Sequence, residues 1–533
     1  LVRRLLLDVG GYTEKRFVEQ LGPAIAEQVK AARERLTAAG CPPLAVEART
    51  RYAWIREATA GCVQRPAQRV VTWTDRIDRV LTHKVWGTLV FLALMFLVFE
   101  SIFTAAKPLM DGIGAGKDAL GQWLRSVLPV GPLTSLLVGG VIEGVGTVLQ
   151  FLPQILILFG FIAVLEDCGY MARAAFLMDK LMARCGLSGK SFIPMLSSVA
   201  CAVPGIMAAR VIENRRDRLA TILVAPLMSC SARLPVYVLL IGAFLSPPNF
   251  PWWTPGLAMF SMYCIGLVAA PLVALALKRT LLRGETPAFV MEMPLYKVPS
   301  LRTMLGRMLD SGWAFVRRAG TLILASMVLV WALLYFPPDF ASGVAYDAQV
   351  ARLEKEAEQL TAQKASDEEI EAKEKEANRV HGEWQRRSLL GWMGQAVEPA
   401  ARPLGWDWRI GMAALASFPA REVVVGTLGV IYNEGEVDPD KDVLQAQKIG
   451  ETPLARSMQN ATWDDDPGRK VFTAATALSL MVFFALCCQC ASTLAVIRRE
   501  TRSWRWPAFT FTYMTVLAYM AALVVYQIGS RLL

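Results

Sequence analysis

Eight apolar runs, several close to the length of a bilayer crossing, constrain this chain more than any other feature. They cover residues 85–106, 151–165, 219–245, 256–277, 319–336, 410–432, 471–497 and 509–528. About 20 apolar residues in a helix reach across the hydrocarbon layer. Lipid offers no hydrogen-bond partners, so a spanning segment must satisfy its own backbone, and runs of this kind do so as helices. The expected fold class is all-α: a polytopic membrane protein with about eight transmembrane helices, two broken-helix gate regions and an N-terminal cytosolic helical segment. At 54% hydrophobic residues and a mean hydropathy of +0.37, an ordinary soluble fold is a poor alternative.

Two further signals lie in the stretch from Ser191 to Phe244, which holds two apolar segments, each interrupted near its middle. There prolines sit beside cysteines: Pro204 near Cys201, and Pro226 and Pro235 flanking Cys230. Proline removes a backbone donor and clashes with the preceding turn, so each break strands polar groups that lipid cannot satisfy. Such breaks should face protein or a wet cavity, and paired broken helices are the usual frame of a transporter's ion site. A basic hinge with Arg210, Arg215, Arg216 and Arg218 joins the two segments.

The organisation predicted along the chain has four parts. Residues 1–82 form a cytosolic helical segment, and 83–336 a membrane domain with the first gate. Residues 337–406 make a charged helical loop outside the membrane, and 407–533 a membrane domain with the second gate. Within the first membrane domain, 107–132 is expected at the far surface, and the glycine-rich 133–150 as a re-entrant or short helix carrying Glu143. The net charge of +10 is a topology signal, since basic loops stay on the cytoplasmic side. By that rule eight simple crossings conflict with the basic 498–506 loop. One of 410–432 and 471–497 being a re-entrant hairpin would remove the conflict. A short echo between 203–218 and 488–503 suggests an internal repeat. The chain opens on Leu1 inside a helical pattern with no visible signal peptide, and is expected to be a fragment.

Candidate ligands for a divalent cation cluster at the breaks. Thiols and thioethers suit soft and borderline ions, and carboxylates suit hard ones. Cys201, Cys230, Cys490, Met207 and Ser231 stand at or near the interruptions, and Glu143 and Glu422 are the intramembrane carboxylates. A buried cysteine is more often a small hydrophobe than a ligand, the reading preferred for Cys264, Cys487 and Cys488. Methionines mostly pack. A carboxylate inside a span is costly and so a functional candidate, although Arg421 beside Glu422 would serve merely to neutralise it. The SGKS at 188–191 lacks the upstream glycine of a phosphate-binding loop, and two histidines leave little for a zinc or histidine-based catalytic site.

The segments LEDCGYMARAAFLMDKLM, GLSGKSFIPML, CAVPGIMAAR and RDRLATILVAPLMSCSARLPVY resemble the ferrous iron transport protein B (FeoB) family. So do TDRIDRVLTHKVWG, FPAREVVVGTLGVIY and the C-terminal IRRETRSWRW stretch. The likeness covers nearly the whole chain. It implies a multi-pass protein of the bacterial inner (cytoplasmic) membrane that takes up Fe²⁺ from periplasm to cytoplasm. Its gate cysteines would correspond to Cys201, Cys230 and Cys490. It further implies a GTP-binding domain upstream of this chain, with residues 1–82 as the end of a helical linker domain, so that GTP belongs to the parent protein. Fe²⁺, the lipid bilayer, that GTPase domain and small cytosolic accessory proteins are the implied partners. A homo-oligomer is left open, and no nucleic acid is expected. Many members carry glycine, aromatic, glycine, cysteine and asparagine where this chain has Ser198 to Ala202, and proline where it has Gln489. The gates are therefore expected to be shaped differently. The alternatives are another divalent ion, a nucleoside-like substrate, a membrane-embedded thiol enzyme, or a passive or inactive fragment. No catalytic residues are assigned in this chain.

Overall fold

A computed structural model describes residues 2–7, 9, 11–62, 72–129, 131–246, 250–284, 293–337, 346, 349–350, 352–353, 356, 367–418, 421, 423–432, 452–466, 468–488 and 490–532. Glu422 and Gln489 fall outside the described residues, as does the side chain of Ser231. The chain forms two compact units, Leu1–Arg76 and Ile77–Leu533. In the first, Ala24–Ala38 packs on Val2–Leu7, Tyr12–Leu21 and Pro43–Ala58. Arg33 ties three of these helices together: it donates to the Leu5 and Leu6 carbonyls, where the first helix ends, and pairs with Glu14 at 2.8 Å.

The second unit is a helical membrane bundle whose two faces are marked by polar contacts. One face holds the basic hinge. There Lys190 pairs with Glu213, Arg216 donates to the Arg283 carbonyl, Asp217 pairs with Lys278, and Arg210 with Glu500. The opposite face holds Pro403, Arg409, Asp464 and Arg469, joined by Arg409–Asp464 and by Gln527 and Tyr526 contacts with Pro403 and Arg469. The last helix, Arg505–Leu532, fixes the separation: 22 residues from Arg505 to Gln527 rise about 33 Å, the thickness of a bilayer core.

Followed from face to face, the eight apolar runs resolve into seven crossings and one hairpin among the described residues. Three helices are long and apolar enough to cross alone, Pro132–Asp167, Thr254–Arg279 and Arg505–Leu532, and Ala474–Leu486 with Ala491–Thr501 makes a fourth crossing in two pieces. The 42-residue helix Trp86–Val127 supplies a fifth. The remaining two are composite. Leu301–Phe315 continues into Thr321–Tyr335, and Arg215–Val224 is followed after a break by Leu234–Phe244. The 410–432 run is the re-entrant element. Trp408–Ala416 and Val423–Ile431 pack on each other, and Tyr432 returns to lie 5.8 Å from the Arg409 guanidinium on the face it left. This resolves the charge conflict, because the 498–506 loop then shares a face with the basic hinge.

Three local expectations are corrected. The 133–150 segment is not re-entrant: a π-helical stretch, Leu136–Ile142, absorbs its glycines inside one continuous 36-residue helix. Nor does 107–132 lie along the surface, since Trp86–Val127 is one 42-residue helix that runs on through Pro108. The echo between 203–218 and 488–503 joins elements of different topological place, the returning arm of a hairpin and the second half of a crossing, so it does not mark the internal repeat.

Candidate functional site

The first interruption forms a hairpin of its own. Phe192–Ala200 leaves the hinge face, where Ser191 and Thr221 share a 2.9 Å hydrogen bond, and Ala202–Ala208 comes back to Arg210 on that face. Cys201 is the turn, extended at φ −155° and ψ 134°. The two arms touch at Gly205, where a Cβ would lie 1.8 Å from Ser198 Oγ and 2.6 Å from the Pro194 carbonyl oxygen. Only glycine allows that approach.

Each hairpin is followed by a crossing that is itself broken. After the first hairpin, Arg215–Val224 ends in a tight turn at Ala225–Leu227, and the chain runs extended past Met228 before Leu234–Phe244 resumes. After the second, Ala474–Leu486 stops at Cys487, extended at φ −71° and ψ 157°. Ala491–Thr501 then starts from Cys490, extended at φ −161° and ψ 106°. The first hairpin enters from the hinge face and the second from the opposite face. Their broken crossings run in opposite directions, as do Thr254–Arg279 and Arg505–Leu532. The two halves are thus inverted repeats, with unwound backbone in the interior where the crossings are interrupted.

Two buried arginines occupy the breaks. Arg233, 1% exposed, donates Nη1 to the Met228 carbonyl and Ser229 Oγ at 3.3 and 3.2 Å, and Nη2 to the Pro226 carbonyl at 3.3 Å. Arg421, at the tip of the second hairpin, donates to the Phe484 and Cys487 carbonyls at 3.2 and 3.0 Å. Both guanidiniums therefore satisfy carbonyls that interrupted helices leave at their C-terminal ends, where the helix dipole favours a cation. They lie within electrostatic range of each other and of Cys230 and Cys487. Arg421 also senses Cys488 and Cys490. The tip backbone joins in, the Ala491 N–H donating to the Phe418 carbonyl at 3.3 Å.

The sequence-based candidates fall into separate places. Cys230 and Cys490 belong to the arginine-centred cluster. Cys201 and Met207 pack instead against the cluster of Val203, Ile206, Ile222, Val496 and Ile497. Glu143 is engaged: Lys117 Nζ donates to both its oxygens at 2.9 and 2.8 Å. Glu422 and the side chain of Ser231 lie outside the description. Among the described residues, no three His, Cys, Asp or Glu side chains are grouped to hold a metal ion jointly. Sequence reasoning passed over Arg233 and treated Arg421 only as a counter-charge to its neighbour. A cation inside an apolar run next to a proline break was the available signal for both.

Comparison with known proteins bears on the same segments. A family model described as Gate, nucleoside recognition, matches residues 148–244 and 316–504, more than half of the chain. A second, described as the ferrous iron transport protein B C terminus, matches residues 259–310. The chain is 40% identical over 481 residues to a protein of Porphyromonas gingivalis named Fe(2+) transport protein A/Fe(2+) transporter FeoB fusion protein, covering 90% of this chain and 54% of that protein. It is 40% identical over 465 residues to the Fe(2+) transporter FeoB of Leptospira interrogans, covering 87% and 60% respectively. Against the Fe(2+) transporter FeoB of Staphylococcus aureus it is 37% identical over 478 residues, covering 87% and 61%. The chain thus spans a little over half the length of these relatives. No solved structure matches.

Proposed function

The chain belongs to the ferrous iron transport protein B family, and from that premise we propose that it is the Fe²⁺-conducting membrane portion of such a transporter. The observation that carries this reading is the inverted pair of hairpins and broken crossings, with Cys230 and Cys490 both within electrostatic range of Arg421 on the second hairpin. The carbonyls that Arg233 and Arg421 engage are less available to a cation. A partly dehydrated Fe²⁺ would be met chiefly by sulfur and by the remaining carbonyls and hydroxyls. Fe²⁺ stands low in the affinity order for such sites, so a sparse set of donors suits an ion that must also leave. In this reading Cys201, at the tip of the first hairpin, is the second sulfur station on the route. Glu143, Glu422, Met207 and Ser231 are secondary, Glu143 acting only if Lys117 releases it.

The direction would be periplasm to cytoplasm across the bacterial inner membrane, with the hinge face cytoplasmic. GTP hydrolysis in an upstream domain of the parent protein would bias the gates, and small cytosolic proteins of the same system would assist. The positive charge on the hinge supports its cytoplasmic placement, and the fusion named in the Porphyromonas gingivalis relative supports an accessory protein.

Uptake of Fe²⁺ into proteoliposomes containing this chain is the test. The Cys201→Ser/Cys230→Ser double variant should lose uptake while keeping its thermal unfolding profile. Transport at the unmutated rate would remove the thiols from the mechanism. Because the longer family match is described as nucleoside recognition, the same assay should include uridine and Zn²⁺ as competitors. Inhibition by uridine alone would favour a nucleoside substrate instead.

A further inference from the structure

The returning arm of the first hairpin and the second half of the second broken crossing are built alike. Each starts from an extended cysteine, Cys201 or Cys490, and runs to the hinge face. They pack through Val203, Ile206, Val496 and Ile497. At their far ends Arg210 and Glu500, 290 residues apart, form a two-pronged ion pair, with Nε on Oε2 at 2.8 Å and Nη2 on Oε1 at 2.5 Å. The two partners differ in exposure. The Glu500 carboxylate is 9% exposed, whereas the Arg210 guanidinium is 54% exposed. The nearby Arg498 is stacked on the Trp504 ring at 4.0 Å.

We infer that the Arg210–Glu500 pair is a latch that holds the first hairpin shut against the second broken crossing on the hinge face. The hairpin connects covalently to the rest of the chain only at that face, and the Arg210–Glu500 pair is the directional contact that ties its returning arm there to Ala491–Thr501. Apolar packing between two short helices is non-directional and tolerates sliding, while a fork-to-carboxylate pair fixes one register. The exposed guanidinium faces water and can withdraw into it. The carboxylate then stays in a mostly buried site, which makes the parted state costly and transient rather than free. Opening at this pair would admit water along the returning arm toward Cys201. The hairpin arms meet at Gly205 and Ser198, so they would move as one piece.

The test reads the latch without any transported ion, so its failure is distinct from failure of the Fe²⁺ reading. The chain in proteoliposomes is treated with a membrane-impermeant maleimide, and modification of Cys201 is followed by peptide mass spectrometry against exposed Cys62 as reference. Arg210→Glu and Glu500→Arg should each raise the Cys201 rate at least fivefold. The exchanged pair Arg210→Glu/Glu500→Arg should bring it back to within twofold of the unmutated chain. Unchanged rates in both single variants, or an exchanged pair as fast as the singles, would overturn the latch. If the charge variants do not fold, the uncharged Arg210→Gln and Glu500→Gln replace them. Each should raise the Cys201 rate at least threefold, and unchanged rates in both would overturn the proposal.

Discussion

Arg421 reaches from the tip of one re-entrant hairpin to the end of another helix, donating to the carbonyls of Phe484 and Cys487 more than 60 positions further along the chain. Charge and interruption thereby solve each other's problem. The break in Ala474–Leu486 leaves carbonyls in a place without water, and the guanidinium would be costly in the same place without them. Arg421→Leu should therefore destabilise the bundle by about 1–3 kcal/mol through the orphaned carbonyls. Arg421→Lys should recover only part of this, since an ammonium lacks the planar fork that spans two acceptors. Thermal unfolding in detergent, compared at equal protein and detergent concentration, reads both.

On the hinge face, Asp217 and Lys278 form a pair with almost no exposure on either side. Removing one partner of a buried pair leaves the other uncompensated, at about 3–5 kcal/mol, whereas removing both is far milder. Lys278→Met should lower the melting temperature sharply, and Lys278→Met/Asp217→Leu should regain most of it. Additive losses in the double variant would mean that the two charges do not depend on each other.

His381 lies in the polar helix Asp367–Arg387, outside the spans, against the Trp384 ring at 5.5 Å. Burial, and then the charge of Arg125, push its pKa down from 6.5 to about 4. Between those values the unfolded chain binds a proton that the folded chain refuses, so stability falls as pH drops from 6.5 and levels off below about 4. A melting series from pH 7 to pH 4 should show this slope, and His381→Gln should flatten that share of it.

Seven crossings place the chain's two membrane-unit ends on opposite faces. Cysteines introduced at Glu213→Cys and Arg505→Cys should react with an impermeant maleimide from one side of the membrane. Those at Gln395→Cys and Leu532→Cys should react from the other. Labelling of Arg505→Cys and Leu532→Cys from the same side would mean that the last helix does not cross.

Much of this architecture was legible in the residues themselves. The apolar runs became helices, and the prolines beside Cys201 and Cys230 marked real interruptions. The charge conflict at 498–506 correctly required 410–432 or 471–497 to turn back. The misreadings came where local signals are ambiguous. Glycines at 139, 140, 144 and 146 looked like a broken helix, yet they are taken up by the π-helical stretch and by close packing, as of Gly144 on Leu324 and Met327. Glu143 read as a carboxylate on the path because Lys117, 26 positions away, gives no sign in sequence that it reaches across.

Hydropathy and proline act within a few residues, through desolvation and a missing backbone donor, so local residue order suffices to make this chain span lipid as helices and to set where those helices break. Which face each hairpin enters from, and which broken end each arginine caps, depends on partners tens to hundreds of positions apart. Only their meeting in the tertiary structure decided it, because a stranded carbonyl in the interior carries no record in its own sequence of the side chain that will satisfy it.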